Sequence, residues 1–200
     1  MIGLRVLTGA DIMPWLAPLA ALRIAVFRDW PYLYEGSVDY ESGYLARYAR
    51  APGALVVLAL DGDRAVGAST GMPLEHEDAV FREPFAARGI APASVFYFGE
   101  SVLLPEYRRR GIGHRFFDAR EDHARRLAGV SMTAFCAVER DPDDPHRPPG
   151  AHSNDAFWSS RGYERQEDLI CTLDWPEVGE TAARPHRLHF WLRLLEPHGR

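Results

Sequence analysis

With two cysteines in 200 residues, the chain has no disulfide framework. Cys136 and Cys171 both lie in apolar, strand-like runs at a spacing that fits no zinc ligand set, so buried, reduced thiols are expected and no metal is implied. An excess of basic charge is also missing. The formal net charge is -5 and the pI about 5.9, which argues against non-specific nucleic-acid binding and makes any arginine cluster a local feature. Long hydrophobic runs are absent too, since no stretch approaches the ~20 apolar residues of a membrane helix. The nearest, Ile12 to Leu22, is interrupted by Pro14 and Pro18, preceded by Asp11, and continues into a helical pattern, so it reads as neither signal nor anchor. A soluble, cytoplasmic protein follows by default. There is no internal repeat and no linker, and residues 1–200 are expected to form one domain with a sizeable core.

What is present has a clear order. Ile2 to Leu7 reads as a strand, followed by a helix with Leu16, Leu19, Arg23 and Phe27 near one face. An aromatic loop holds Phe27, Trp30, Tyr32, Tyr34 and Glu35. In a second helix, from about Asp39 to Ala49, Tyr40, Tyr44 and Tyr48 recur at i, i+4, i+8. Asp61-Gly62 between apolar runs marks a hairpin of Ala54 to Leu60 with Arg64 to Met72. Glu75 to Gly89 is polar, is broken by Pro84 and suggests no chemistry. A central strand, Ser94 to Leu104, leads into a glycine-containing turn and a helix whose buried face carries Ile112, Phe116, Ala119, His123 and Leu127. After a strand from Ser131 to Val138 comes a Pro-rich loop, Glu139 to His152, then a short helix ending at Gly162. Two strands close the chain, Glu164 to Trp175 and His186 to Leu195. In the last, Leu188, Phe190, Leu192 and Leu194 alternate with His189, Trp191 and Arg193, and an exposed Trp191 would make it a pairing edge for a homodimer.

The most specific stretch is Leu103-Leu-Pro-Glu-Tyr-Arg108-Arg-Arg-Gly111-Ile-Gly113-His114, set where a strand hands over to a helix. Small residues there let the backbone curl with its N–H groups outward, and the positive end of the helix dipole adds to an anion site. A dinucleotide fingerprint would need a small residue at Phe116, and the Gly-Lys-Ser/Thr of a P-loop is missing. Strand, Leu-x-Pro-x-Tyr, Arg-x-x-Gly-x-Gly, then helix resembles the acetyl-CoA pyrophosphate loop of the GCN5-related N-acetyltransferase (GNAT) superfamily, with Arg108, Gly111 and Gly113 in the family's pattern. The element order over nearly the whole chain is similar to that of the same family. Asn154 to Tyr163 is similar to its late helix, with Phe157, Trp158, Gly162 and Tyr163 in the places of aliphatic-Tyr-x-x-x-Gly-Phe.

The resemblance implies an α/β (α+β) fold, with a mixed, mostly antiparallel central sheet of about six to seven strands flanked by helices. It also implies an N-acetyltransferase that moves the acetyl group of acetyl-CoA to a primary amine within a ternary complex. Acetyl-CoA would lie along Val102, Leu103 and Leu104 and against Arg108, Arg109, Arg110, Gly111, Ile112, Gly113 and His114, with Asn154, Phe157 and Trp158 beside it. The acceptor, a small cationic amine or a peptide amine, would meet Phe27, Trp30, Tyr32, Tyr34 and Glu35. Among catalytic candidates, Glu100 is a carboxylate in an otherwise apolar strand, where ionisation is costly and the pKa of a general base would be raised. The base of several relatives falls instead at Tyr97, which strict alternation puts on the other face; a β-bulge would re-aim Glu100. Trp158 stands where the family often has the tyrosine that protonates the thiolate. Tyr163, Ser159, His152 or water would then donate, or the thiolate would leave unprotonated. An acyl-CoA-binding or sensing module without efficient catalysis is the alternative that Trp158 favours.

Overall fold

The computed structural model describes residues 2–196. Its strands are β1 (Gly3–Leu7), β2 (Leu55–Asp61), β3 (Arg64–Pro73), β4 (Val95–Tyr97), β5 (Ser101–Leu103), β6 (Met132–Val138), β7 (Glu164–Trp175) and β8 (Arg184–Leu194). The helices are α1 (Leu16–Phe27), α2 (Val38–Arg50), α3 (Ala79–Ala87), α4 (Ile112–Arg126) and α5 (Asp155–Ser160). The sheet runs β1-β2-β3-β4-β6-β8-β7, with β5 also on β3. Only β4 and β6 are parallel neighbours among these pairs; the others are antiparallel. This is the mixed, mostly antiparallel sheet that the family resemblance implied. The strand count is eight because the expected central strand is cut in two between Tyr97 and Ser101.

Three apolar clusters clothe the sheet. On one face α4 packs Ile112, Phe116 and Phe117 onto Val57, Phe96 and Phe98. On the other, α1 and α2 pack Leu19, Leu22, Leu45 and Tyr48 onto Val56, Leu58 and Val102. Farther along, α3 sets Phe81 and Phe85 against Tyr97 and Phe190. Alternation along β2 explains this division, since even and odd residues of a strand face opposite layers.

Local chemistry accounts for most boundaries. Ser37 caps α2 by accepting from the Tyr40 N–H, and Gly62, at φ +58°, turns the β2–β3 hairpin. Prolines break less than expected. A short 3-10 segment and α1 run together over Gly9–Phe27, 19 residues apolar enough by length and composition to cross a membrane. Pro14 lies in the 3-10 segment and Pro18 in the first turn of α1, where no intrahelical N–H is required. The expectation that no apolar run reaches this length is corrected on that ground. The run is nevertheless part of the core, with Ile12, Leu19, Ala20 and Leu22 buried. Likewise α3 continues through Pro84.

The last strand is also corrected. β8 lies inside the sheet between β6 and β7, and Trp191 is 5% exposed, stacked on Phe135 and in contact with Trp158. Both faces of β8 are covered, so Trp191 offers no pairing edge. Strands β1 and β7 form the two ends of the sheet path.

Candidate functional site

The site is built on the interruption of the central strand. Facing it on β3, Thr70 serves two residues at once. Its N–H donates to the Glu100 carbonyl, its carbonyl accepts from the Gly99 N–H, and its Oγ1 accepts from the Glu100 N–H at 3.2 Å. Two residues opposing one is a β-bulge, and it turns consecutive side-chain positions to one face. Phe98 points to the α4 layer and Val102 to the α1–α2 layer, yet Glu100 also reaches α1 and α2. Glu100 and Tyr97 therefore lie on the same side of the sheet, as a bulge requires and strict alternation forbids.

Gly99 makes the bend possible for a steric reason. A Cβ added there would lie 2.0 Å from the Tyr48 hydroxyl and 2.6 Å from Thr70 Oγ1. Gly99→Ala is therefore expected to cost about 1–3 kcal/mol, as overpacking does. Urea denaturation reads the loss, and adding Tyr48→Phe should return part of it; no loss in the single variant would remove the steric account.

Around Glu100 sits a buried charge cluster. Arg23 of α1 places Nη1 2.5 Å from Glu100 Oε2, while its Nε donates to Glu41 Oε2 of α2. Glu41 is fully buried and Glu100 is 8% exposed. Burial works against the Arg23 charge, but Glu100, Tyr44 and Glu41 prevail and hold its guanidinium protonated well above the ordinary range. The guanidinium also lies over the rings of Tyr44 and Phe27, at 4.4 and 5.0 Å. Arg23 thus lies between two carboxylates on the α1–α2 side of the bulge.

From behind, the fully buried Arg120 of α4 braces the same backbone. It donates to the carbonyls of Thr70 and Glu100 and to Ser101 Oγ, and its guanidinium lies 4.0 Å from the Phe98 ring. Burial pulls its pKa down to about 10.

Below the bulge, the residues flanking β5 hydrogen-bond to β3 through their even-numbered members. The Glu100 carbonyl accepts from Thr70, and the Leu104 N–H donates to Val66. Alternation turns the amides of Ser101 and Leu103 away from β3. Arg108 donates to the Leu103 carbonyl at 3.1 Å, and Arg110 to the Glu106 carbonyl at 2.8 Å. Two of the three arginines are thus engaged in holding the turn. Arg109 stands exposed at φ +62° and Gly111 at φ +74°. Tyr107 ties the turn to the β2–β3 hairpin through Asp61, at 2.8 Å. Helix α4 then starts at Ile112 with no side-chain cap, so the N–H groups of its first turn are presented outward.

Helix α5 lies against this start, with Phe157 4.8 Å from the His114 ring and 5.4 Å from that of Phe117. Asn154 occupies its N-cap position. Trp158 packs on Phe135 and Trp191.

Several expected residues fall elsewhere. The Tyr163 hydroxyl is buried on Thr133 Oγ1 at 2.8 Å and Glu121 Oε1 at 3.2 Å, apart from the Glu100 cluster, and burial raises its pKa. Tyr97 lies in the core with its hydroxyl 3.1 Å from Cys136 Sγ. In the aromatic loop, Phe27 reaches Arg23 and Tyr34 sits beside Glu41, whereas Glu35 pairs with Arg28 at the surface. Trp30 lies under Arg140, which also donates to the Pro31 and Tyr32 carbonyls, and Tyr32 packs on Phe27 and Trp175. Of the tyrosine stripe, Tyr48 is buried and Tyr44 half-buried, while Tyr40 is exposed. Sequence reasoning missed Arg23 as a charged partner, Arg120 as a brace, and Glu77, which accepts from Tyr48 in the segment that suggested no chemistry.

Known proteins share this fold. The model of the acetyltransferase (GNAT) family matches residues 19–147, so the chain belongs to that family. No curated protein sequence matches it. Among solved structures it is similar to NAA60 of Arabidopsis thaliana in complex with acetyl-CoA, with a TM-score of 0.62 and 12% identity over 98% of this chain and 99% of the other. A ribosomal-protein-alanine N-acetyltransferase from Brucella melitensis gives a TM-score of 0.60 and 18% identity over 96% and 99%. An acetyltransferase from Thermus thermophilus gives 0.56 and 16% over 98% and 97%. At such identities these likenesses concern the fold.

Proposed function

We propose that the protein transfers the acetyl group of acetyl-CoA to a primary amine by direct attack in a ternary complex. The observation that carries this reading is the strand break at Gly99–Glu100, a carboxylate beside a strand whose outward-facing amides run on toward the uncapped start of α4. In this reading the N–H groups of Ile112, Gly113 and His114 hold the pyrophosphate of the donor, with Arg109 adding positive charge and Phe157 lying alongside. The outward amides of Ser101 and Leu103 pair with the pantetheine arm, and one of them donates to the oxyanion of the tetrahedral intermediate. Bringing thioester and amine together supplies further acceleration.

Glu100 is the group we assign as base for the incoming ammonium. A cationic acceptor fits the carboxylates Glu41 and Glu100 on the α1–α2 side of the bend, and Phe27 and Tyr34 give it an aromatic wall. Trp158 provides no transferable proton, and the CoA thiolate leaves as the anion or takes a proton from water.

Thiol release from acetyl-CoA with a panel of small and peptide amines tests the reading. All 23 Lys and Arg residues of the chain are arginine, so no side-chain amine of the protein competes as acceptor. Turnover above hydrolysis is expected; acetyl-CoA binding without turnover for any amine would leave a sensing module instead. Glu100→Gln is expected to lower kcat about 10²-fold near neutral pH. The deficit should shrink as pH rises toward the acceptor's own pKa, where free amine no longer needs a base. A constant ratio of the two proteins across pH would remove Glu100 from the role.

A further inference from the structure

A line of hydrogen bonds leaves Glu100 on the side away from the strand amides. Tyr44 of α2 has its hydroxyl 3.5 Å from Glu100 Oε2 and 3.0 Å from the Tyr48 hydroxyl one helical turn on. Tyr48 donates to Glu77 Oε1 at 3.2 Å. Glu77 follows the 3-10 segment Leu74–His76, and its other oxygen meets Arg47 and the Asp78 N–H. Arg47 also pairs with Asp78, which is exposed. Four polar groups, Glu100, Tyr44, Tyr48 and Glu77, therefore connect the bulge to the protein surface beside the Arg23–Glu41 pair.

We propose that the proton taken from the acceptor ammonium leaves the site along this line, from Glu100 through the hydroxyls of Tyr44 and Tyr48 to Glu77. The proposal rests on the acetyltransferase reading. In the first step an N–H bond of the ammonium breaks, its electron pair stays on nitrogen, and an O–H bond forms on Glu100. The Tyr44 hydroxyl, which donates to Glu100 Oε2 while that carboxylate is ionised, turns to Tyr48 once Glu100 is protonated; Glu100 then gives its proton to Tyr44 Oη as the Tyr44 proton passes to Tyr48 and the Tyr48 proton to Glu77. Each hydroxyl gains one proton and loses one, so both tyrosines end neutral and Glu77 ends as the carboxylic acid. No electron is transferred to or from the chain and no co-reactant is needed. Release of the proton past Asp78 resets the line.

The surroundings suit such a path. Burial raises the pKa of both tyrosines well above the usual phenol range, so they pass protons as neutral hydroxyls rather than lose them. Burial likewise raises that of Glu77, and it outweighs the opposing Arg47, so Glu77 accepts a proton more readily than an exposed glutamate does. Glu100 itself shares its Oε2 between Arg23 and the Tyr44 hydroxyl, so the first member of the line is already in contact with the second. The charged and titratable groups facing the line are Arg23 on α1, Glu41 and Arg47 on α2, Asp78 ahead of α3, Tyr97 on β4, Tyr32 in the aromatic loop, and Arg120 behind the strand. Gly99 leaves the space in which the Tyr48 hydroxyl sits. Tyr44, Tyr48 and Glu77 are positioning residues here, because they act through Glu100 and do not touch the acceptor.

The test uses the full chain, acetyl-CoA and an amine the wild-type protein acetylates, with kcat and both KM values followed across pH for Tyr48→Phe and Glu77→Gln. Both variants are expected to lose about 10–100-fold in kcat near neutral pH. KM for acetyl-CoA should stay unchanged, and the loss should shrink as pH rises and the acceptor arrives already neutral. Thermal unfolding reports whether each variant is folded, and Glu77→Gln, which keeps the side-chain shape, carries the test if Tyr48→Phe does not fold. An active wild type whose variants keep its kcat, or lose it by one factor at every pH, overturns the relay alone. A wild type that acetylates no amine overturns the acetyltransferase reading and the relay with it.

Discussion

Arg23→Met is expected to lose about 3–5 kcal/mol of folding free energy, the range for removing one partner from a buried ion pair. The reason is what stays behind. Met fills much of the same volume, but Glu41, fully buried, and Glu100, nearly so, would face each other with no cation between them. The loss should shrink as pH falls, because protonated carboxyls can be buried at far smaller cost. The sign follows from linkage: in the variant the folded-state pKa values of the two carboxyls rise above their unfolded values, so stability returns at low pH and disappears as pH climbs through the raised values. Urea denaturation at several pH values measures this. The triple variant Arg23→Met, Glu41→Gln, Glu100→Gln should be more stable than Arg23→Met alone, since no charge is then stranded. If the triple variant is no better, the loss comes from packing on Phe27 and Tyr44 and the charge argument fails.

Arg120 makes an instructive contrast. It is buried as deeply, yet its partners are two strand carbonyls, a helix carbonyl and a hydroxyl. Deleting it strands no charge, and the fold already opposes its protonation. Both arginines hold the same bend, but only Arg23 is indispensable on electrostatic grounds.

The difference in legibility between parts of the molecule has a physical origin. The β2–β3 hairpin, the α4 helix and the turn before it were readable because their signals are local: Asp-Gly between apolar runs, a 3.6-residue period, and two glycines at a strand–helix junction. The bend at Gly99 was not readable as a certainty, because Thr70, 30 residues before Glu100, decides it by bonding to two residues at once. Arg23 looked like one more member of a buried helix face, since its partners lie 18 residues away on α2 and on the central strand. Glu77 sat in a polar stretch with no motif, and only the packing of that stretch against α2 brings it to Tyr48. Trp191 misled for a related reason. Alternation identifies two faces of a strand, but whether the second face is covered depends on where the strand lies in the sheet, and β8 lies inside it.

The second large effect concerns the donor. Gly113→Asp is expected to weaken acetyl-CoA binding at least about 100-fold while leaving the fold as stable as before or more so. Two charges of like sign a few ångströms apart at a protein surface repel by about 4 kcal/mol, and the pyrophosphate would meet the new carboxylate at the start of α4. The same carboxylate in the first turn of a helix is favourable to the helix itself, by about 0.3–1 kcal/mol, so a binding loss cannot be blamed on unfolding. Gly113→Ala separates charge from bulk. Its Cβ would lie 3.6 Å from the Phe157 ring, an ordinary contact, and the N–H groups of the turn stay in place. That variant should bind within a few-fold of wild type. Gly111 behaves differently, because at φ +74° any side chain is strained, with about 1–2 kcal/mol lost even for alanine. Gly111→Asp should therefore combine the charge effect with a measurable fall in Tm, whereas Gly113→Asp should show the charge effect alone. Calorimetric titration with acetyl-CoA, paired with thermal unfolding of the same samples, distinguishes the two. Unchanged affinity in Gly113→Asp would move the donor's phosphates away from α4 and, with them, the reading of the whole bend.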